Sequence, residues 1–566
     1  MTNSSDVAHA GASRAKILVA VDFGIVLRYE NGETSGRYVW GYRAQAYAER
    51  GEQIHEWFKL GLCDDFEKRR ARDSELMRLY GSKTAKPPVK GQVCENLVRD
   101  FLVGIKQAVD RKLDVDPQVA ALKKQYIITV PALWDYAEQE KTRACAEKAN
   151  MGGDSEIMLI PESEAAGIWA IKTMLSLKKD DIFVVCDAGG GTVDLSSFQV
   201  KELSKDRRHC KLVEAGPGSG ALCGSMFLNR IFEKYLEEKL QHCPSWDPEY
   251  MVDVLRTFET RIKPNFTGQA EEPHFIRIQG LKRSESHGIK KKNILELTDQ
   301  ELRVHVFDKV MEKIEALVRD QITHTEGSVK EIVLAGGFGR NPYLKRRLQG
   351  LPCVARQGIT VWALENSHTA VVKGAVTASL AVPKRFTDEP DGAFNLMPTR
   401  TVQISSRKAR RHYGTWGFAE VGPTDPLEKR QMRDDGSKVA RMHWFAKMND
   451  DIPNGQPRYY PYLKVAKVLP GQAAHEACKI DVHIFVCERR NPPEYRNDPA
   501  AWEITDFSLD LEGLPIPTVV MDGDNFYEAR FEIEMILRAT SLAFCGVYGR
   551  GTANERRCAA KTVDFK

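Results

Sequence analysis

Cys186-Asp187-Ala188-Gly189-Gly190-Gly191-Thr192-Val193-Asp194 is the stretch that decides the fold of this 566-residue chain. The apolar run 182–186 leads straight into it and indicates a buried strand. Glycines let the backbone turn tightly, and successive N–H groups in such a turn form an anion-binding nest. Asp187 has the wrong sign to touch a phosphate, so a cation has to lie between them, and Mg²⁺ takes carboxylate and water oxygens. The stretch predicts a Mg²⁺–nucleotide site, and the alternative is a glycine-rich hairpin with structural acids.

Composition sets broad limits on class and location. Hydrophobic residues make up 42% and charged residues 28% of the chain, as in ordinary soluble globular proteins, and the net charge of +4 is too small to favour nucleic acid or membrane partners. No apolar run is long enough to span a bilayer. Residues 1–15 are polar, lack a secretion signal and predict a disordered tail. We therefore expect a cytoplasmic protein whose 12 scattered cysteines are thiols.

Two further strand–glycine units flank the central one. The apolar residues 16–21 precede Asp22-Phe23-Gly24, and 332–335 precede Gly336-Gly337-Phe338-Gly339-Arg340. A second glycine-rich loop is expected at 216–224, before a helix at 226–240. The three units predict two similar α/β lobes around a nucleotide, with the planar guanidinium of Arg340 stacked on adenine.

The pattern changes around Pro383. Before it, Thr298 and Glu301 form a capping box for an amphipathic helix. After it, apolar and polar residues alternate at 480–486 and 531–535, which is typical of half-buried strands. Residues 384–566 therefore predict a separate, mainly antiparallel β domain.

Taken together, the motifs resemble the actin/Hsp70/sugar-kinase ATPase superfamily and, within it, the Hsp70 chaperones. The chain looks most like the divergent Hsp70-like proteins common in fungi, which are related to Hsp70 class 12. The resemblance covers about residues 16–380. It is carried by the segments 57–60, 130–134, 162–166, 187–194 and 334–344.

The resemblance implies a fold as well. We expect an α/β, two-lobed actin-like ATPase domain with ribonuclease H-like lobes at 16–383, followed by the β-rich domain. Lobe I would comprise about 16–185 plus 365–383, and lobe II about 186–364.

The family's site residues carry over to matching positions. Asp22 and Asp187 would orient a water-coordinated Mg²⁺, and Glu162 and Asp194 are the catalytic candidates that would position the attacking water. The residues expected to bind ATP or ADP are Gly24, Gly189, Gly190, Gly191, Thr192, Gly218, Glu259, Lys263, Gly336, Gly337 and Arg340. For Glu259 and Lys263, a surface ion pair one helical turn apart is an equal alternative.

The chain also departs from the family's pattern. Ile25 and Val26 stand where threonines bind phosphate and metal. Only a short connection leads from Gly24 to Trp40-Gly41-Tyr42, so strands are expected to be missing. The catalytic lysine is absent from its expected place, where Ala44 falls, with Arg43 as the nearest cation. Since phosphoryl transfer depends on positioning and charge, these losses predict weak or lost ATPase activity.

Three functions remain open from the sequence. The first is an ATP-dependent chaperone for unfolded or extended peptides, with co-chaperones as further partners. The second is a degenerate nucleotide-binding regulator whose β domain binds other proteins. The third, ranked last, is a small-molecule kinase on the same fold.

Overall fold

The structure is a computed structural model that describes residues 16–21, 26–29, 37–48, 52, 54–56, 58–62, 76, 92–132, 134, 136–153, 156–380, 401–423, 425, 430–431, 438–521, 523–538 and 541–563. They fall into two compact units, one within 1–134 and 138–403 and the other within 135–137 and 404–566. The predicted tail at 1–15 and the predicted boundary at 383–384 lie outside the described residues.

The first unit alternates strands and helices. Its strands are β1 (Lys16–Val21), β2 (Val26–Tyr29), β3 (Tyr38–Trp40), β4 (His55–Glu56), β5 (Lys123–Val130), β6 (Ile157–Pro161), β7 (Ile182–Ala188), β8 (Val193–Leu203), β9 (His209–Ala221), β10 (His274–Arg277), β11 (Ile294–Leu297), β12 (Val329–Ala335) and β13 (Thr360–Ala363). Its α-helices are α1 (Tyr42–Ala48), α2 (Gln92–Leu113), α3 (Pro117–Ala120), α4 (Tyr136–Lys148), α5 (Glu162–Thr173), α6 (Met226–Leu240), α7 (Met251–Thr257), α8 (Lys263–Asn265), α9 (Asp299–Leu302), α10 (Asp308–His324), α11 (Pro342–Gln349), α12 (Pro352–Gln357) and α13 (Ala370–Ser379). Short 3₁₀ turns lie at Phe58–Leu62, Pro248–Tyr250, Glu285–His287, Phe338–Arg340 and Ser367–Thr369, and π-helical turns at Phe258–Ile262 and Arg303–Phe307.

The sheet around the glycine turn has the order β13-β12-β7-β8-β9. Strands β7, β12 and β13 are parallel, whereas β7, β8 and β9 form an antiparallel meander. Every residue of β7 is buried, which confirms the predicted buried strand. The glycine turn therefore joins two adjacent inner strands of this sheet, of which β7 is buried throughout.

The glycine-rich loop expected at 216–224 is mostly strand. β9 continues to Ala221 because its backbone pairs with β8, with Asp194 opposite Gly220. Only residues 222–225 remain as a connection to α6, whose predicted bounds are confirmed. Gly218 thus lies within a strand, at an irregularity in the register between Leu195 and Ser197.

A second sheet is built from the parallel strands β1, β5 and β6, in that order. The short connection after Gly24, which was expected to miss strands relative to the family, contains two short strands in its described part. β2 and β3 pair as an antiparallel hairpin within the connection, and β4 joins them in a small separate sheet. Ile25 and Gly24 themselves lie outside the described residues.

The capping box predicted at Thr298 is confirmed. The Thr298 side chain accepts from the Glu301 N–H, and the Glu301 carboxylate accepts from the Thr298 N–H at 2.8 Å. The apolar face of the following helix is buried, although the π-helical turn Arg303–Phe307 interrupts its period. None of the helices in the described part of the chain combines the length and the apolar character needed to cross a bilayer.

The Glu301 carboxylate should make stability depend on pH. Burial acts to raise its pKa, but hydrogen bonds from Lys239 and the Thr298 amide prevail and lower the pKa to about 2. A depressed folded-state pKa means that the ionised carboxylate stabilises the fold above its ordinary value of 4.5, and that this contribution is lost as pH falls towards 2. We expect Glu301→Gln to lower the free energy of unfolding by about 1–2 kcal/mol at neutral pH.

Denaturant unfolding of both proteins between pH 7 and pH 3 would measure this effect. The stability difference should shrink as the pH falls below about 4.5. Glu285→Gln is a charge-matched control, because it removes an exposed carboxylate beside Arg283. A difference for Glu301→Gln that is the same at every pH would contradict the expectation.

The second unit is mainly antiparallel β structure. Its strands are β14 (Thr401–Lys408), β15 (His412–Glu420), β16 (Arg430–Gln431), β17 (Lys438–Ala446), β18 (Asp451–Pro453), β19 (Pro457–Lys467), β20 (Ile480–Cys487), β21 (Trp502–Leu509), β22 (Thr518–Met521), β23 (Asp524–Leu537), β24 (Leu542–Tyr548), β25 (Arg556–Arg557) and β26 (Lys561–Thr562), with one short helix, α14 (Ala474–Ala477). One sheet has the order β16-β17-β15-β20-β21. The other has the order β19-β23-β24-β25, with β22 on β23 and β26 on β24.

The predicted alternation in β20 and β23 is observed, with one exception. The alternating apolar residues of both strands are buried in one common core, namely Ile480, Val482, Ile484, Val486, Phe531, Ile533 and Met535. Glu534, expected to face solvent, is only 6% exposed. The guanidinium of Arg557 covers it with two hydrogen bonds of 3.0 and 3.1 Å, so a charged partner replaces water.

Candidate functional site

The glycine turn closes as a tight hairpin between β7 and β8. The Gly189 N–H donates to the Thr192 carbonyl oxygen at 3.0 Å. Asp187 and Asp194 lie directly opposite each other in the ladder, and both are buried, with 6% and 1% exposure. The two aspartates that frame the motif in the sequence are therefore cross-strand neighbours at the base of the turn.

Residues 224–226 hold the turn from one side. Their N–H groups donate in turn to the carbonyl oxygens of Gly191, Gly189 and Gly190, at 3.1, 3.1 and 2.9 Å. A Cβ on Gly224 would lie 2.7 Å from the Gly191 carbonyl carbon, so only glycine allows this approach. These hydrogen bonds hold the three carbonyl groups of the glycine turn towards residues 224–226, away from the open side of the turn.

The amides of the turn remain available to a ligand. The N–H groups of Gly190, Gly191 and Thr192 have no acceptor within the described part of the chain. All three residues are at least partly exposed. Successive amides of this kind bind anions, so the turn fits a phosphate group.

Of the two aspartates predicted to orient the metal ion, the structure describes only Asp187. Asp187 lies at the carboxyl end of β7, beside the turn. Asp22 and Gly24 lie outside the described residues. No group of three His, Cys, Asp or Glu side chains within the described ranges forms a metal site. The arrangement fits a magnesium ion held mainly by water and phosphate oxygens, with Asp187 as a carboxylate partner.

The glycine turn that follows β12 packs directly against the end of β7, where the central glycine turn begins. Gly336 has φ +76° and follows β12, and a Cβ there would lie 2.5 Å from the Asp187 carboxylate. The Gly336 N–H donates to the Ser367 carbonyl oxygen at 3.2 Å, and the Ser367 hydroxyl donates back at 2.7 Å. Gly337 faces open space, and Arg340 is exposed at the end of its 3₁₀ turn. The structure therefore brings Gly336 and Asp187 together.

Lys263 forms hydrogen bonds with three separate segments: the helical turn of Glu259, the start of α6 and the residue before α11. The i,i+4 ion pair with Glu259 that was considered as the alternative is present, with Glu259 half-exposed, although Lys263 itself is only 6% exposed. Its ammonium donates to the Asn229 side chain at 3.0 Å and to the Ser225 carbonyl oxygen at 3.4 Å. Asn341 donates to the Lys263 carbonyl oxygen at 2.8 Å. Burial lowers the pKa of Lys263, an effect that Glu259 partly offsets.

Glu162 stands at the first position of α5, after Pro161, and it has a cationic partner. The Lys59 ammonium lies 2.6 Å from its carboxylate, and the two side chains are 5% and 13% exposed. Lys59 also donates to the Thr129 carbonyl oxygen at 3.4 Å. Arg43, the cation expected nearest to the site, is exposed. A lysine therefore does stand beside Glu162, although it comes from a different segment than expected.

Asp194 connects the sheet around the glycine turn to the sheet of β1, β5 and β6. Its carboxylate accepts from the Ala132 N–H at 2.9 Å, just after β5. Nearby, the hydroxyl oxygens of Ser163 on α5 and Ser196 on β8 lie 2.7 Å apart. Asp194 thus fixes the loop that follows β5 against the strand that follows the glycine turn.

Two residues of this site, Gly224 and Lys59, were not predicted from the sequence. Gly224, rather than Gly218, contacts the turn, and its place directly before a helix start could have revealed it. Lys59 lies between apolar neighbours in Phe58-Lys59-Leu60. A lysine in such a stretch is buried only with an anion, and that was the available signal.

Comparisons with known proteins found similar sequences for part of this chain. The Hsp70 protein family matches residues 100–376. A chaperone protein HscA homolog of Neisseria meningitidis serogroup B is 29% identical over 215 residues, which cover 38% of this chain and 31% of that protein. A chaperone protein DnaK of Deinococcus proteolyticus is 26% identical over 231 residues, covering 40% and 34%.

The chain spans about a third of the length of these curated relatives. The matched segment contains the glycine turn, Glu162 and the β12 turn, and an Hsp70 ATPase domain implies a two-lobed, actin-like fold. By its motifs and by these likenesses, this part of the chain is related to the Hsp70 superfamily.

Proposed function

We propose that the first unit binds ATP or ADP with Mg²⁺ and that the chain acts as an Hsp70-like chaperone with slow ATP hydrolysis. One observation carries the proposal. Three successive amides, those of Gly190, Gly191 and Thr192, have no acceptor in the described part of the chain and lie beside the buried carboxylate of Asp187. That combination suits a phosphate whose charge is offset by a metal ion.

The remaining site residues take matching roles. The turn and Gly24 would hold the phosphates, and Asp22 and Asp187 the hydrated metal. Five residues would contact adenosine: Gly336, Gly337, Arg340, Glu259 and Lys263. Bound Mg²⁺ would supply charge stabilisation for phosphoryl transfer.

Two features of the site have opposite effects on the expected rate of ATP hydrolysis. The family's threonine hydroxyls are replaced by Ile25 and Val26, which removes ligands to phosphate and metal. The Lys59–Glu162 pair, by contrast, keeps a carboxylate and a cation together at the start of α5. We therefore favour weak hydrolysis over its complete loss. The replaced hydroxyls favour the second candidate, a nucleotide-binding regulator that does not hydrolyse ATP.

The second unit suits a peptide-binding role. Its antiparallel sheets have edge strands at β16, β21 and β22, and an extended peptide can add to such an edge. Val520 and Met521 of β22 are 71% and 47% exposed. We extend the proposal to unfolded or extended peptide clients, co-chaperones, a cytoplasmic location and the divergent fungal, class 12-like branch.

Single-turnover hydrolysis on the purified full chain tests this function. The chain is loaded with ATP and Mg²⁺, and phosphate release is followed with and without an unfolded peptide. The proposal predicts slow release that the peptide accelerates. Tight ATP binding without any release would support the regulator, and phosphate transfer to a sugar would support a small-molecule kinase.

A further inference from the structure

Two cysteines of the second unit lie side by side at the end of the chain. Cys545 is in β24, and Cys558 directly follows β25. Their sulfur atoms are 3.8 Å apart. The backbone brings the two residues together, because Val547 pairs with Arg557 and the Cys558 N–H donates to the Gly546 carbonyl oxygen at 3.1 Å.

The surroundings of the two thiols differ. The Gly546 N–H donates to the Cys558 sulfur at 3.0 Å, whereas the Cys545 thiol lies 3.1 Å from the Cys558 carbonyl oxygen, as a donor. The hydrogen bond between the thiols, with that of Gly546, lowers the pKa of Cys558 and raises that of Cys545. Cys558 is half-buried, but Cys545 is only 4% exposed. Cys558 is therefore the thiol that ionises more readily and that a small solute can reach.

We propose that Cys545 and Cys558 form a peroxide-reactive dithiol site that closes reversibly to a disulfide. The site belongs to the second unit and does not depend on nucleotide binding.

The reaction balances with hydrogen peroxide as the oxidant. The Cys558 thiolate attacks one peroxide oxygen, so that an S–O bond forms, the O–O bond breaks and hydroxide leaves to become water. Cys545 then attacks the Cys558 sulfur, the S–S bond forms, and the sulfenic oxygen leaves as a second water with the Cys545 proton. Two thiols are oxidised by two electrons, and one peroxide is reduced to two waters.

The geometry allows the closing step. A disulfide needs its sulfurs about 2.05 Å apart, so they have to approach by about 1.8 Å. The residues after Cys558, Ala559 and Ala560, are exposed, so that this side of the pair can shift. The bridge would join the segment between β25 and β26 to the inner strand β24, and it would restrict the unfolded chain.

Peptide mapping after mild oxidation tests the proposal. The reduced, folded full chain is treated with a small excess of hydrogen peroxide, blocked with N-ethylmaleimide and digested for mass spectrometry. We expect a Cys545–Cys558 cross-linked peptide, reversed by dithiothreitol, to form roughly tenfold faster than Cys353 is oxidised. The thiol of Cys353 is also only partly buried and lies in the first unit.

Three variants separate the steps. Cys545→Ser should leave a sulfenic acid on Cys558 that dimedone traps, Cys558→Ser should leave Cys545 reduced, and Cys353→Ser should form the disulfide as the unaltered protein does. The unaltered protein decides the proposal even if a variant fails to fold. If both thiols stay alkylatable, if Cys558 is oxidised further without a cross-link, or if it reacts no faster than Cys353, the proposal is overturned.

Discussion

Replacing Lys59 by methionine is expected to lower the single-turnover rate of ATP hydrolysis on the order of 100-fold. Methionine keeps most of the apolar stem but removes the ammonium that lies 2.6 Å from the Glu162 carboxylate. A carboxylate that is 13% exposed then loses its charged partner and its orientation. In the proposed function Glu162 would position the attacking water, and Lys59 would act through it as a positioning residue. The dissociation constant for ATP should stay within about threefold of that of the unaltered chain.

Three comparisons separate this role from a structural one. Lys59→Arg should recover part of the rate, because a guanidinium can also pair with a carboxylate. The double variant with Glu162→Gln should be no slower than Glu162→Gln alone. Lys106→Met is the matched control, since Lys106 pairs with Asp110 within α2. Equal rates for Lys59→Met and the unaltered chain, or a loss matched by Lys106→Met, would show that Lys59 has no part in hydrolysis.

Replacing Asp187 by asparagine should weaken the binding of ATP in the presence of Mg²⁺ by roughly 10- to 100-fold. The side chain is nearly isosteric, so the packing of Gly336 against it is kept while the negative charge is lost. Without that charge, a hydrated metal ion has one carboxylate fewer to orient it. In the absence of Mg²⁺, the substitution should change ATP binding far less.

A carboxylate at the other end of the same strand provides the control for Asp187→Asn. Asp181 directly precedes β7 and pairs with Lys330 at 2.6 Å. Asp181→Asn removes the same charge without touching the turn, so its ATP affinity should equal that of the unaltered chain. If Asp187→Asn and Asp181→Asn bind ATP equally well, Asp187 is not a metal partner.

The features that local sequence patterns determine could be predicted. The apolar run before Asp187 is buried strand β7, and α6 begins and ends at the predicted residues. The alternation in β20 likewise matches its burial. In each case the signal lies within one element, so no distant contact was needed to read it.

Features that depend on distant contacts could not be predicted. Lys59 and Glu162 are 103 positions apart, and no periodic pattern joins them. β9 extends through its glycines because β8 offers a ladder partner, which a local reading of Gly216–Gly224 takes for a loop. Glu534 is buried because Arg557, 23 residues later, covers it. In these three cases, contacts between residues that are distant in the sequence determine the structure, and the local sequence pattern does not.

Titration calorimetry of the full chain with ATP tests the central claim most directly, which is that the turn at 189–192 and Asp187 bind a magnesium nucleotide. The titration is run once with Mg²⁺ and once with the metal removed by a chelator. We predict one saturable site per chain that binds ATP much more weakly when Mg²⁺ is absent. No binding under either condition, or equal affinity with and without Mg²⁺, would contradict the claim.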